Sequence, residues 1–489
     1  MSETRAETPS GPVVGVVEAG VKRWLGLPYA QVSRFAAPQP VEPWRSVRPA
    51  LAMGPMCPQH FSGSARNAKV KTPEFAEDCL SLNIWASEGG EAGLKPVLVW
   101  IHGGAFMVGG SGAYDGAELA RLGDMVVVGV NYRLGVLGFV NFGEALGIPN
   151  IPSNLGLRDQ IAALEWVRAN IQAFGGDPDR VTVAGESAGS MSVSLLMLCR
   201  QTWPLFHGAI MQSGAVSLIH DHEKSLQIGR RYAELLDVNQ GDLDGLRSMG
   251  LKRLFEAQAA VGQEERNGLP AAPWFDGDLL PATQAQAYAH PTAPVPLLAG
   301  SNRDEIRLFE IMPGDILPTR WPELEKLVRD QLPADHAERL LAAYPRTRAG
   351  RRALATDLTF GAPTRNFAER HSRNHPTWFY RFDYALPLFG AMHGLDLAFL
   401  WPPTGFMGAL VRGGPMSGRR ALSQRMQTHW AHFARHGRPE ADWPGYTAQT
   451  RQVRLFNLAD SLVADPDAER FSAWAGEDVG PGFAAARDR

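Results

Sequence analysis

Short apolar runs alternate with amphipathic stretches along most of this chain, and the alternation predicts an α/β sheet. Segments 13–18 and 21–25 read as a hairpin closed by Ala19-Gly20. From Leu80 onward, 82–85, 96–102 and 125–131 predict strands. Segment 157–174 predicts a helix, because Ile161, Leu164, Val167 and Ile171 recur every three or four positions. Gly175-Gly176-Asp177-Pro178 stops that helix before a strand at 181–183, which leads into a helix over 187–199. Further strands are expected at 209–211, 295–299, 378–382 and 453–456, and a last helix over 418–435. Strand and helix at this spacing imply right-handed crossovers and a large, mostly parallel twisted sheet flanked by helices. Two long, less regular insertions, 217–290 and 306–376, are expected to shape the substrate pocket. Residues 1–12 are expected to be disordered. No Gly/Ser-rich, Pro-rich or charge-block linker and no internal repeat divides the chain, so 1–489 reads as one domain.

Composition narrows the partners. With 48 basic and 51 acidic residues the net charge is −3, which leaves no electrostatic footprint for nucleic acid or an anionic membrane. A small neutral molecule fits better. The longest apolar runs are about six residues, far short of the roughly 20 of a membrane span. The first residues, MSETRAETPSGP, are polar and carry no basic segment followed by an apolar one, so no secretory signal is read there. Three cysteines, Cys57, Cys79 and Cys199, are too few for a disulfide scaffold and suggest a reducing compartment. The expectation is a cytoplasmic protein, monomeric or weakly dimeric.

The chemistry begins at Gly185-Glu186-Ser187-Ala188-Gly189, which follows the β-branched run Val181-Thr182-Val183. A serine between glycines where a strand gives way to a helix is the pattern of a nucleophile elbow; a plain Gly/Ser-rich turn is the alternative. Serine needs a base for its proton and a third group to orient that base. Ligands of open α/β sheets bind at the carboxyl ends of strands, and two such ends carry candidates. Asp304-Glu305 follows the strand at 295–299, and His393 lies in the glycine-flanked loop after 378–382. His371 and His375 precede that strand, at the wrong end of the sheet. His336 lies in a polar helical insertion. His429, His432 and His436, spaced three and four apart, could bind a metal only with further ligands that the sequence does not supply. A loop-capping histidine remains the alternative reading of His393. Donors for an oxyanion are expected in His102-Gly103-Gly104-Ala105-Phe106, with the amide of Ala188. A phosphate loop is the competing reading, without the Lys-Ser/Thr or G-x-G-x-x-G pattern that would support it.

Taken together, these pieces resemble the type-B carboxylesterase and cholinesterase family of α/β-hydrolases, most of all its bacterial para-nitrobenzyl esterase-like carboxylesterases. The resemblance runs from Leu25-Gly26-Leu27-Pro28-Tyr29-Ala30 through Glu77-Asp78-Cys79-Leu80-Ser81-Leu82-Asn83-Ile84, the loop at 102–106 and Asn131-Tyr132-Arg133-Leu134-Gly135. It continues through Asn154-Leu155-Gly156-Leu157-Arg158-Asp159-Gln160, Phe174-Gly175-Gly176-Asp177-Pro178, the elbow, Gln212-Ser213-Gly214, Asp304-Glu305 and His393-Gly394. It implies a triad of Ser187, Glu305 and His393, with Glu305 and not Asp304 as the acid. It also implies an oxyanion hole of Gly104, Ala105 and Ala188, with Gly103 shaping the loop. Glu186 and Ser213 would belong to a buried polar network behind the triad. Phe106 and Phe309, next to these motifs, are expected to line the acyl pocket, with core packing as the alternative.

Two departures from the family stand out. Asp396 occupies the place of a glutamate three residues after the histidine. Cys57 and Cys79 match the first disulfide of secreted members, and here are expected to be reduced. The loop between them, 58–78, holds no tryptophan, which argues against choline recognition. The activity implied is hydrolysis of small neutral carboxylic esters through an acyl-enzyme, with no metal or cofactor. The alternatives are an aryl carbamate or amide hydrolase on the same triad, or a non-catalytic cholinesterase-like binding protein.

Overall fold

The structure is a computed structural model that describes residues 2–59, 74–90, 93–265, 268–312, 317–401 and 417–474. One large mixed sheet runs through it. Its strands are β1 (Ser2–Thr8), β2 (Gly11–Glu18), β3 (Val21–Pro28), β4 (Ser81–Ser87), β5 (Lys95–Ile101) and β6 (Val126–Val130). They continue with β7 (Gly176–Glu186), β8 (Gly208–Gln212), β9 (Leu297–Asn302), β10 (Thr377–Phe382), β11 (Gln452–Phe456) and β12 (Ser461–Ala464). The spatial order is β1-β2-β3-β4-β6-β5-β7-β8-β9-β10-β11-β12, with the two-residue strand Arg48–Pro49 beside β2. From β6 to β11 every neighbouring pair is parallel, whereas the flanking pairs are antiparallel.

Period-two burial explains why these segments form central strands. Along β5, Val97, Val99 and Ile101 enter one hydrophobic core while Leu98 and Trp100 enter the other, and β6 divides Val126 and Val128 from Val127 in the same way. A strand buried on both faces reads as a continuous apolar run. Helices α1 (Leu155–Asn170) and α2 (Ala188–Leu198) cover the first face. The later helix α4 (Ser417–His436) covers the second with Leu422, Met426, Trp430 and Phe433. The expected helix at 157–174 is thus α1 and a short 3-10 turn, Ile171–Phe174, ended by left-handed Gly175.

Two expectations need correction. Residues 2–8 are not disordered: they pair antiparallel with β2, from Ser2 opposite Val17 to Thr8 opposite Gly11. An edge strand needs only backbone partners, so a polar sequence with one buried side chain, Ala6, suffices. The two insertions are not irregular either. The first holds helices His222–Leu236, Leu243–Ser248, Leu251–Glu264 and Gln284–Ala289. The second holds Trp321–Gln331, Ala334–Ala342, Arg348–Thr356, a π-helical turn at Asp357–Gly361 and α3 (Ala362–His371). Their amphipathic stripes pack on the first core through Leu254, Val261, Leu324, Val328, Leu340 and Leu354.

A buried ion pair ties the loop after β6 to α1. Asp159 accepts hydrogen bonds from Arg133 Nε at 2.8 Å, Arg133 Nη2 at 2.6 Å and the Arg133 backbone N–H at 3.0 Å. Arg133 Nη1 spends its remaining capacity on the Ala36 carbonyl, at 2.7 Å. Removing one partner of a buried pair leaves the other charge uncompensated, which typically costs about 3–5 kcal/mol. Asp159→Asn is therefore expected to lower stability by about that amount, read as a lower midpoint of urea unfolding with an unchanged slope.

Candidate active site

The site is assembled where parallel strands end. β7 ends at Glu186 and α2 begins at Ala188, so Ser187 must turn the chain in a single residue. It does so with φ 56° and ψ −125°, outside the usual regions for a side-chain-bearing residue. Gly185 and Gly189 make the turn possible, since a Cβ on either would strike backbone of the elbow or the Ile101 carbonyl at the end of β5. The Ser187 N–H donates to the Gln212 carbonyl at the end of β8, at 2.9 Å. Residues 181–186 and 188–198 are all buried, and Ser187 alone among them is half-exposed.

The loop after β5 lies against this elbow. A Cβ on Gly103 would come within 3.0 Å of Ser187 Cβ and 2.8 Å of Glu186 Oε2, so only glycine allows the approach. Gly104 (φ 116°) and Ala105 (φ 54°) reverse the chain, and the Gly104 carbonyl accepts from the N–H groups of Met107 and Val108 at 2.9 and 3.0 Å. The N–H groups of Gly104, Ala105 and Ala188 donate to no acceptor among the described residues. His102 shapes the loop. Its Nδ1 faces the Gly103 carbonyl at 2.8 Å, so that nitrogen carries the proton, and burial depresses its pKa to about 4.

The base candidate comes from the loop after β10. His393 Nδ1 lies 2.7 Å from Glu305 Oε2, and the His393 N–H donates to the Glu305 carbonyl at 3.3 Å. A carboxylate accepts there, so Nδ1 carries a proton, and in the neutral ring Nε2 is left as the acceptor. Glu305 is buried, and its Oε1 accepts the Asn302 N–H at 2.6 Å. Asp304 is used differently. Its Oδ2 accepts from the Ala391 N–H and its own N–H donates to the Ala391 carbonyl, each at 2.9 Å, which fastens the histidine loop to the acid turn.

Two more carboxyls crowd the imidazole. Glu186 Oε1 lies 3.3 Å from His393 Nε2, a close ion-pair distance without hydrogen-bond alignment. Asp396 accepts from Gln212 Nε2 at 2.8 Å, Asn302 Nδ2 at 3.2 Å and the Tyr380 hydroxyl at 3.2 Å, all buried. Burial pushes Glu186 up to about 8, with the Asp396 and Glu305 carboxyls adding to the rise against the pull of His393. His393 is penalised by burial, yet Glu186 and Glu305 lift it to about 9. The two groups are linked: an ionised Glu186 holds the proton on His393, while the charged imidazole pulls Glu186 down against the rise that burial imposes.

The network behind the imidazole therefore runs through Asp396, Gln212, Asn302, Tyr380 and Trp430, whose Nε1 donates to Gln212 Oε1 at 3.0 Å. Ser213 is a correction. Its hydroxyl is buried without a partner among the described residues, and it contributes backbone instead, donating its N–H to the Gly300 carbonyl at 2.8 Å. Phe106 is another. Its ring has no exposed surface and meets Phe139 edge-on at 5.1 Å, so it belongs to the core and cannot touch a substrate in an open pocket. Phe309 is half-buried with its ring 5.3 Å from His393. Phe360 was not expected, yet its ring stacks on His393 at 4.3 Å. No periodicity could have found it, because it lies 33 residues upstream in a π-helical turn.

The other histidines lie elsewhere. His371 binds Thr292 and the Val295 carbonyl, and His336 meets the Ala473 carbonyl. His429 is gathered with Glu440 and Asp442, not with His432 and His436, with potential ligand atoms within 4.8 Å of one another. Cys57 and Cys79 are free and buried; Cys79 is hydrogen-bonded to Cys57, which raises its pKa well above the ordinary thiol value, and the Leu134 N–H meets Cys57 Sγ at 3.3 Å.

Residues 2–474 match the Carboxylesterase family. The chain belongs to the carboxylesterase family. It is 36% identical to the para-nitrobenzyl esterase of Bacillus subtilis, over 96% of this chain and 98% of that protein. It is 32% identical to the human cocaine esterase, over 96% and 90%. A solved para-nitrobenzyl esterase superposes with a TM-score of 0.89 at 35% identity, covering 97% of this chain and all of that one. The carboxylesterase EST55 of Geobacillus stearothermophilus gives 0.83 at 32% identity, over 96% of this chain and 100% of that one. The fold is accordingly that of the α/β-hydrolases, and this carboxylesterase is a carboxylic ester hydrolase. Among the described residues, no helix is long and apolar enough to cross a membrane.

The linked proton has a measurable consequence in this carboxylesterase. Glu186→Gln removes the negative charge that holds the proton on His393, so the pKa of His393 falls and its Nε2 is free at lower pH. The acid limb of the pH profile of kcat/KM is expected to move to lower pH. An unmoved limb, or one displaced upward, contradicts the coupling.

Proposed function

We propose that this carboxylesterase hydrolyses small neutral esters through an acyl-enzyme on Ser187, with His393 as base and Glu305 as the group that orients it. The observation that carries the reading is the 2.7 Å contact from His393 Nδ1 to Glu305, which directs the other ring nitrogen, Nε2, to the carboxyl of Glu186, the residue before the elbow serine. Ser187 Oγ attacks the ester carbonyl while His393 Nε2 takes its proton, and the C–O bond to the alcohol breaks as that proton passes to the leaving oxygen. Water then repeats the sequence on the acyl-enzyme, and the acid is released.

The N–H groups of Gly104, Ala105 and Ala188 are the donors for the oxyanion, and their lack of other acceptors supports this role. One such donor is typically worth about 2.7–4 kcal/mol in the transition state. Glu186 and Asp396 favour an uncharged substrate, since an anion would meet two further carboxyls beside the base. The half-buried ring of Phe309 is an apolar wall next to His393.

The test compares para-nitrophenyl esters of graded acyl length with an aryl carbamate and an anilide. Ser187→Ala is expected to lower kcat for every ester by at least about 10⁴-fold, and Glu305→Gln by about 10⁴-fold with KM little changed. Undiminished turnover by Ser187→Ala sinks the mechanism. A carbamate kcat/KM above that of every ester moves the substrate assignment to carbamates.

A further inference from the structure

His393 is fixed by Glu305 at one nitrogen only, and a single hydrogen bond leaves an imidazole free to swing about its own axis. Something must hold the plane of the ring. Phe360 lies nearly parallel to it, 27° from coplanar with centroids 4.3 Å apart, and Phe309 packs beside both rings, 5.8 Å and 22° from Phe360 and 5.3 Å and 44° from His393. Phe360 sits in the turn Asp357–Gly361, all of whose residues are buried. A π-turn of this kind is uncommon and is found frequently at functional sites.

The turn is tied at its start. Asp357 Oδ2 accepts the Tyr344 hydroxyl at 2.7 Å and lies 3.3 Å from Arg470 Nε; the Tyr344 oxygen in turn accepts from Trp474 Nε1 at 2.8 Å. Arg470 belongs to a short helix, α5 (Ala468–Ser472), and Trp474 follows it. The same stretch grips the acid. Thr356 Oγ1 accepts the Ile306 N–H at 3.3 Å, and Arg352 Nε donates to Glu310 at 2.8 Å. Thus one segment of the second insertion touches both the acid turn and the face of the base.

We propose that Phe360 is a positioning residue for His393, and that the chain Asp357–Tyr344–Trp474 holds Phe360 in place, so that the segment around 470–474 acts on the catalytic imidazole from a distance. The inference rests on the reading of His393 as the base. Misplacing a catalytic group by about 1 Å can cost about 10²-fold in rate. Because Phe360 touches no bond that reacts, its loss is expected in kcat and not in KM.

The experiment uses the full chain and three variants. Phe360→Leu keeps an apolar side chain and removes the ring face. Tyr344→Phe removes the hydroxyl that joins Asp357 to Trp474, far from the site. Glu305→Gln assigns the downfield proton resonance of His393 Nδ1–H. Expected for Phe360→Leu are a fall in kcat of about 10- to 100-fold, KM within about twofold, a displaced acid limb of the pH profile and a shifted or broadened Nδ1–H resonance. The limb is read against Glu186, Glu305 and Asp396, the titratable groups that face His393. Tyr344→Phe is expected to show the same changes in smaller measure.

If Phe360→Leu leaves kcat, the limb and the resonance unchanged while Ser187→Ala is inactive, the proposal is overturned and the triad stands. A shifted resonance with unchanged kcat means that the stack holds a histidine that is not the base, which overturns both. If Tyr344→Phe lowers only the melting temperature, the role of the distant chain falls.

Discussion

A left-handed backbone at Ser187 is the constraint on which the rest of this structure depends. The turn has room only because the backbone of Gly185 and Gly189 can pass against each other and against the end of β5. That closeness brings the loop after β5 to the serine as well, with Gly103 packed on Ser187 Cβ. An added methyl at any of these three glycines would push apart β5, β7 and α2 together. Ser187 and the loop of Gly104 and Ala105 are thus positioned by one packing requirement, which the parallel pairing of β5 with β7 enforces from Val181 through Gly185.

The next two strands of the same sheet hold the remaining groups in place. β8 accepts the Ser187 N–H at Gln212 and holds Asp396 with that residue's side chain. β9 ends at Asn302, which donates its backbone N–H to Glu305 and its side chain to Asp396 and the Met392 carbonyl. One asparagine therefore sets Glu305 and the loop of His393 at once. The polar side chains at these strand ends are buried because they bond one another, and a buried polar group without such partners would be costly.

The sheet was legible in the sequence because its central strands are buried on both faces, so that burial is written as uninterrupted apolar runs at 96–101 and 125–130. The elbow and the histidine loop were legible because glycine is dictated by backbone geometry that is local. What escaped had no local signature. β1 is polar because an edge strand is held by its backbone, and the insertion helices carry weaker stripes that became interpretable only once the first core gave them a surface. Phe360 reaches His393 across the fold, and nothing in its neighbourhood in the chain marks an aromatic as adjacent to a base. Ser213 and Phe106 failed for the opposite reason: a position beside a motif suggested a side-chain role, whereas the fold uses the backbone of the first and the bulk of the second.

The three carboxyls around His393 are told apart by their donors. Glu305 accepts from Asn302 and His393, and Asp396 from Gln212, Asn302 and Tyr380; burial raises the pKa of Asp396, and the bonds from Gln212 and Asn302 oppose that rise. Glu186 Oε1 has no hydrogen-bond partner among the described residues, and only the imidazole at 3.3 Å offers compensation. Three ionised carboxyls buried beside one neutral imidazole would be an expensive arrangement. A proton retained between Glu186 and His393 relieves it. The shorter Asp396, one methylene less than the family's glutamate, reaches its three donors behind the ring. That leaves Glu186 as the carboxyl beside Nε2, where the proposed mechanism forms an imidazolium. In that mechanism an ionised Glu186 is matched by the imidazolium of the transition state, which is the direction in which catalysis is favoured.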